Sequence, residues 1–237
     1  MPFSALLNPA VVDDAPAPPA AVSADAYVSI ASQYVYRGVA SRNSGPVVIG
    51  ALALAQRDGW FLDTWAGQTD IQNHYDHSIA REWQLDFNAG YAAAFTTNWQ
   101  WSLSRAWIKG FNNDRLEAQN YQEWRANLFY RDNVAMQFAY SENYRQLGWS
   151  AWNVEIERQL ALSPTLDGEL GYGRSHGAGK WDSNYNYFWV GVKTQQWHTD
   201  WHLRWTYSDD DAKYVLNSNR SGNHIELSAS WALTLAR

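Results

Sequence analysis

Alternation of apolar and polar residues, sustained over long stretches and closed off by aromatics, is the feature that most constrains this chain. The cleanest example runs Trp83-Gln84-Leu85-Asp86-Phe87-Asn88-Ala89-Gly90-Tyr91 and on to Phe95. On a strand successive side chains point to opposite faces, so Trp83, Leu85, Phe87 and Tyr91 share one face while Gln84, Asp86 and Asn88 share the other. A barrel strand that crosses a bilayer takes about 9–11 tilted residues, with aromatic girdles where membrane meets water. Six stretches follow this pattern. The expected fold is therefore all-β, a single antiparallel up-and-down transmembrane β-barrel.

Twelve strands are expected, at 26–40, 46–57, 60–72, 81–95, 99–111, 121–130, 134–145, 151–162, 166–174, 185–194, 198–208 and 223–235. Five connections are tight and rich in Gly, Asn, Asp or Pro: 57–59, 96–98, 131–133, 163–165 and 195–197. The intervening connections are generally longer and alternate strictly with the tight ones. Short periplasmic turns, long external loops and an even strand number describe the barrels of Gram-negative outer membranes. That membrane is the expected location, with outer-membrane lipid as one partner.

Two segments are expected: a Pro/Ala-rich tail at 1–25 and the barrel at 26–237. In the tail, Asp13-Asp14-Ala15-Pro16-Ala17-Pro18-Pro19 is prone to polyproline geometry. Val22-Ser23-Ala24 resembles a signal-peptidase site, but the first basic residue is Arg37. The tail reads either as a periplasmic arm or as the remnant of an export signal. Cysteine is absent, and no apolar run of 18 residues exists, which excludes thiol chemistry and a helical membrane span. The 15 Trp and 14 Tyr suit a membrane interface, where one end of a ring stays wet. A net charge of −6 offers no footprint for nucleic acid. No cofactor and no metal is expected, and the oligomeric state stays open.

Parity assigns the faces. Trp83, Trp99, Trp101, Trp107, Trp124, Trp152, Trp201, Trp205 and Trp231 fall outward as candidate girdle residues. The inward face collects Glu82, Asp86, Glu123, Glu155, Glu157, Asp167, Glu169, Asp200 and Glu226 against Arg37, Arg125 and Arg204. Arg105 and Arg158 fall outward, where they would snorkel or be turned inward by a bulge. The second strand, Val47 to Leu54, is apolar on both faces, so its small inward side chains would pack on the tail or narrow the lumen.

Ser32-Gln33-Tyr34-Val35-Tyr36-Arg37-Gly38-Val39, Gly59-Trp60-Phe61, Thr64-Trp65-Ala66-Gly67 and Tyr121-Gln122-Glu123-Trp124 resemble the uncharacterised proteobacterial proteins called Gcw_chp. Glu82 to Tyr91, with its acidic start and Gly-Tyr end, matches as well. Members begin with a Tyr-x-aromatic-Arg-Gly strand. The resemblance covers most of 26–235 and implies an outer-membrane barrel, with no activity attached. The closing Leu233-Thr234-Leu235-Ala236-Arg237 departs from barrels in general, which favour a terminal aromatic.

The inward carboxylates admit two readings. In an open barrel they attract cations; in a narrow one they form ion pairs that plug it. Glu155 and Glu157 should lie opposite Gly173 and Gly171, which would leave room there for water or a solute. Their spacing of about 6.6–6.8 Å along a strand also approaches that of inverting glycosidases. His202 and His224, with Ser228 and Ser230 near the latter, are the residues a Ser–His hydrolase would use, and their spacing does not distinguish a dyad from wet polar lumen positions. His74, Asp76 and His77, or Asp209-Asp210-Asp211, would suit a loop cation. Tyr185, Tyr187 and Trp189, with Trp181 near, would stack sugars or serve as girdle, the girdle being the plainer role. The expected function is passive passage of small cationic or neutral solutes through a net-acidic lumen. The alternative is a non-conducting structural or adhesive barrel that works through its external loops. An outer-membrane hydrolase and a soluble sugar-binding β-protein rank behind both.

Overall fold

The computed structural model describes residues 22–40, 45–72, 79–111, 120–146, 148–178, 183–212 and 221–236. Residues 1–21, Trp181 and the loop residues His74, Asp76 and His77 lie outside these ranges. Twelve antiparallel strands close on themselves: β1 (Val22–Ala31), β4 (Val47–Gln56), β5 (Trp60–Gln72), β6 (Ile79–Thr96), β7 (Trp99–Phe111), β8 (Tyr121–Tyr130), β9 (Val134–Ser141), β10 (Ala151–Ser163), β11 (Leu166–Gly177), β12 (Ser183–Gln196), β13 (Thr199–Ser208) and β14 (Gly222–Ala236). Each strand pairs with its sequence neighbour, and β14 seals the wall on β1 through pairs such as Val28 with Trp231 and Ala31 with Ser228. Closure leaves no unpaired sheet edge.

Tight turns do hold one end of the barrel. Gly59 takes φ +102°, and an added Cβ would lie 2.3 Å from the Ala92 carbonyl. Trp197 and His198 both take positive φ, the two-residue geometry whose twist matches flanking strands. That turn falls two residues later than the sequence suggests, because β12 continues to Gln196.

Alternation sets the two faces. Trp83, Trp107, Trp124, Trp201 and Trp231 are exposed outward, and Trp99, Trp101, Trp152 and Trp205 are half-buried on that same face. Outward rings pair across strands: Trp99 with Tyr130 at 4.7 Å, Phe188 with Trp205 at 5.3 Å, Phe87 with Trp107 at 5.7 Å. Arg105 stays outward. Its guanidinium lies 4.9 Å over the Trp124 ring and donates to Gln122 Oε1. Arg158 is exposed outward too, level with Val134 beside a tight turn.

The first strand departs from expectation. It ends at Ala31 instead of running to 40, and the chain turns into the lumen as a small hairpin, β2 (Val35–Tyr36) and β3 (Val39–Ala40). Ser32 still bonds Leu227 through its amide (2.8 Å) and hydroxyl (3.0 Å), which carries the β1–β14 pairing one step past Ala31 before the chain departs. The apolar inward face of β4 is the reason the hairpin has a seat. Val47 and Ile49 cluster there with Tyr34 and Trp65, and Tyr36 and Ala51 pack alongside.

Candidate functional site

The hairpin tip is Arg37-Gly38, with φ of 49° and 79°. Both values are positive, as a two-residue type I′ turn requires. A Cβ on Gly38 would lie 2.4 Å from Tyr187 Cβ, so only glycine lets the tip reach the β12 wall. There Tyr185 donates to the Arg37 carbonyl at 2.9 Å. Tyr34 meets Trp65 of β5 at 5.2 Å between ring centroids. β5 and β12 stand five places apart in the ring of twelve, so the hairpin crosses the lumen nearly from side to side. Val39 joins Ile108, Tyr121, Tyr144, Tyr185 and Tyr187 in a buried cluster that fills the loop end.

Charges fasten the hairpin. Arg37 Nη2 lies 2.9 Å from Glu123, whose other oxygen takes Arg125 at 3.2 Å. Arg125 also faces Asp86 at 3.7 Å. Burial alone would pull the Arg37 guanidinium down, but the Glu123 carboxylate more than reverses that, so the charge persists. Burial pushes the Tyr34 and Tyr36 phenols well up, which keeps both neutral.

A second cluster lines the far wall. Glu169 takes Arg204 at 2.6 Å, Lys193 at 2.7 Å and His202 at 2.9 Å, and Arg204 lies 3.6 Å from Glu157. Glu82 is buried near the loop end, in space that Gly110 leaves open. Asp200 accepts a bond from Gln195 (2.9 Å), and Glu226 is half-buried beside its cross-strand neighbour Arg204.

Two sequence readings change here. Glu155 and Glu157 do pair with Gly173 and Gly171, but the expected space is filled by the next strand. Tyr187 and Trp189 lie over those glycines, where a Cβ would come within 2.1 and 2.0 Å of their rings. From there Tyr187 donates to Glu155, and Trp189 Nε1 donates to Glu157 at 3.3 Å. Tyr185, Tyr187 and Trp189 thus point inward and are buried, which overturns the girdle role for them. His202 Nε2 lies 2.9 Å from Glu169 Oε1, inside the ion-pair cluster that also holds Arg204 and Lys193. Asp209 Oδ2 accepts from the Asn186 amide at 2.7 Å, and no metal-binding group of three ligands occurs among the described residues.

Between the hairpin and these walls lies a cavity of about 160 Å³. Tyr34, Tyr36 and Arg37 contribute to its lining with Asp63, Trp65 and Asn88, of which the alternation placed only Arg37 and Asn88 inward. Asp63 accepts from Asn88 at 2.9 Å. The signals for this region were present in the sequence: an Arg-Gly pair flanked by extended residues, and a second strand apolar on both faces.

A family model described as a bacterial protein of unknown function, Gcw_chp, matches residues 13–237. The chain belongs to the Gcw_chp family. No curated protein matches the sequence. Solved structures that resemble it include a porin, an outer-membrane channel and a transporter. The KdgM porin superposes with a TM-score of 0.52 at 8% identity, over 88% of this chain and 98% of that one. An outer-membrane channel from Pseudomonas putida F1 gives 0.52 at 10% identity, over 95% and 100%. The P. putida toluene transporter TodX gives 0.51 at 8% identity, over 93% and 91%. At such identities the likeness establishes the barrel fold that this Gcw_chp chain shares with channels.

Proposed function

We propose that this Gcw_chp protein is an outer-membrane channel for passive passage of small cationic or neutral solutes, and not an enzyme. One observation carries the charge preference. Once the ion pairs are assigned, Asp63 and Glu155 remain in the cavity lining with neutral partners, an Asn88 amide and a Tyr187 phenol. An aqueous path past two such carboxylates raises the local concentration of cations over anions. Glu157 faces Arg204, so it adds less to this field than sequence parity suggests. The outward aromatics support a lipid-facing surface, with tight turns toward the periplasm and the longer connections outside. The inward charges Glu82, Asp86, Glu123, Arg125, Glu169, Asp200, Arg204 and Glu226 serve as lumen wall and ion-pair frame.

The hairpin that crosses the lumen favours a second reading, a barrel closed at rest. Planar-bilayer recording of the detergent-folded protein in a salt gradient separates the two. Discrete steps with a cation-signed reversal potential support the channel, and Asp63→Lys with Glu155→Lys should move that potential toward anions. Unchanged selectivity removes both carboxylates from the pathway. A silent bilayer with a folded barrel supports the closed reading.

A further inference from the structure

Charge on the outer wall has one sign. Among the described side chains of the barrel strands the carboxylates take inward positions, Asp63, Asp86, Glu123, Glu155, Glu169 and Glu226 among them, and none turns outward. The outward register carries Arg105, Lys109, Arg158 and Arg174 instead. A cation beside hydrocarbon is costly unless its head reaches water or an anion. The wall itself supplies no counter-ion on that face.

Position separates the four. Arg158 is level with Val134, at the tight-turn end. Arg174 is the cross-strand neighbour of Asn186, whose amide donates to Asp209 at 3.2 Å, so a loop carboxylate stands near it. Arg105 and Lys109 share β7 and have no carboxylate beside them: their outward neighbours are Leu85, Phe87 and Ala89 on β6 and Gln122 and Trp124 on β8.

Both heads lean toward the loop end. Arg105 donates from Nε (2.9 Å) and from Nη2 to Gln122, which faces Trp107, two positions further along β7. The Lys109 ammonium lies 5.0 Å over the ring of Phe111, again two positions on. With about 3.3 Å of rise per residue and a tilt of about 40°, the two heads stand roughly 20 and 30 Å above the level of Trp99. The apolar band of such a barrel is about 25 Å tall. With Trp99 at its inner margin, Arg105 and Lys109 bracket its outer margin, where lipid headgroups begin.

The donors suit phosphate. Trp124 holds the guanidinium plane at 4.9 Å, and Gln122 takes two of its five N–H groups. The end of the fork stays open, a shape that fits two oxygens of one phosphate. The two heads are about 13 Å apart along the strand, so each takes a phosphate of its own.

We infer that Arg105 and Lys109, with Gln122 and Trp124 as supports, form a binding site for the phosphorylated headgroup of an outer-leaflet lipid. The inference rests on the outer-membrane placement in the proposed function, with the tight turns toward the periplasm, and does not need an open lumen.

The test uses the full chain folded in detergent, with lipid A and its fully dephosphorylated form as probes in native mass spectrometry. The acyl chains are the same in both, so a difference reports the phosphates. Lipid A should stay bound and the dephosphorylated form should not. Arg105→Gln and Lys109→Gln should each weaken retention about fivefold, the effect of one cation at an anionic surface. Arg158→Gln removes the same charge at the opposite end and should change nothing. Heat-modifiable gel mobility establishes that all three variants fold. Failure to retain lipid A, equal retention without phosphates, or equal loss in all three variants overturns the inference. Displacement of lipid A by an equal concentration of inorganic phosphate overturns the choice of a lipid as occupant. Cell fractionation is read separately: a chain released without detergent sinks the outer-membrane placement, whereas one that stays in the membrane and ignores lipid A sinks the site alone.

Discussion

Gly38→Ala should release the hairpin from the lumen without unfolding the barrel. The new methyl carbon would sit 2.4 Å from Tyr187 Cβ and 2.7 Å from its Cγ, about 1 Å inside normal contact at about 3.5–4.0 Å. Neither atom belongs to a freely moving tip. Tyr187 Cβ is fixed to β12, and its phenol is held by Asn153 at 2.7 Å. Alanine at φ +79° adds roughly 1–2 kcal/mol of backbone strain. Overpacking adds about 1–3 kcal/mol more. Together about 2–5 kcal/mol shifts the docked-to-undocked ratio by roughly 30-fold to several-thousand-fold. The chain has no cysteine, so Val39→Cys, at a site only 4% exposed, is a clean reporter. Reaction with a membrane-impermeant maleimide should be slow in the parent and much faster with Gly38→Ala, and bilayer conductance should rise in parallel. Equal labelling rates in two folded barrels would refute the reasoning, because the tip would then not bear on β12.

Two further outcomes follow from the same geometry. Glu123→Gln leaves Arg37 and Arg125 without their shared carboxylate; breaking such a buried pair costs about 3–5 kcal/mol, so urea unfolding followed by tryptophan fluorescence should shift to lower urea, and an unchanged midpoint would mean the pair is solvated. Gly173→Ala places a methyl 2.1 Å from Tyr187 Cζ and should lower the heat-modifiable transition, whereas Gly50→Ala, with nothing within 4 Å, should leave it in place.

Parity made the wall legible. Trp83 to Tyr91 reads as one strand in the sequence and is one in the barrel, because a period of two needs no knowledge of neighbours. The hairpin was not legible in the same way. Tyr34 and Tyr36 continue the alternation of β1, so period alone gives no reason for the strand to end at Ala31. What ends it is tertiary: the turn at Arg37-Gly38 has a wall to meet, and Val47 and Ile49 have tyrosines to bury. Tyr187 and Trp189 posed a related problem. Aromatics with a polar edge suit either face, and only the registration of Gly171 and Gly173 beside them makes the inner face the roomier one. Asp63 and Asn88 are ordinary inward polar residues in the sequence, and only closure of the barrel joins them to Glu155 in one cavity.

The order in which the chain can assemble follows from where the hairpin lands. It lies near the N-terminus, but its anchors come much later: Glu123 is 86 residues downstream of Arg37 and Tyr185 is 148. The Ser32 contact that leads into it falls on Leu227, in the last strand. Contacts at such separation gain nothing until the intervening chain is already in place. The tip therefore has no complete seat until β14 has joined β1. The barrel must exist first as an unfilled ring, and docking of the segment made near the start is the step that completes it.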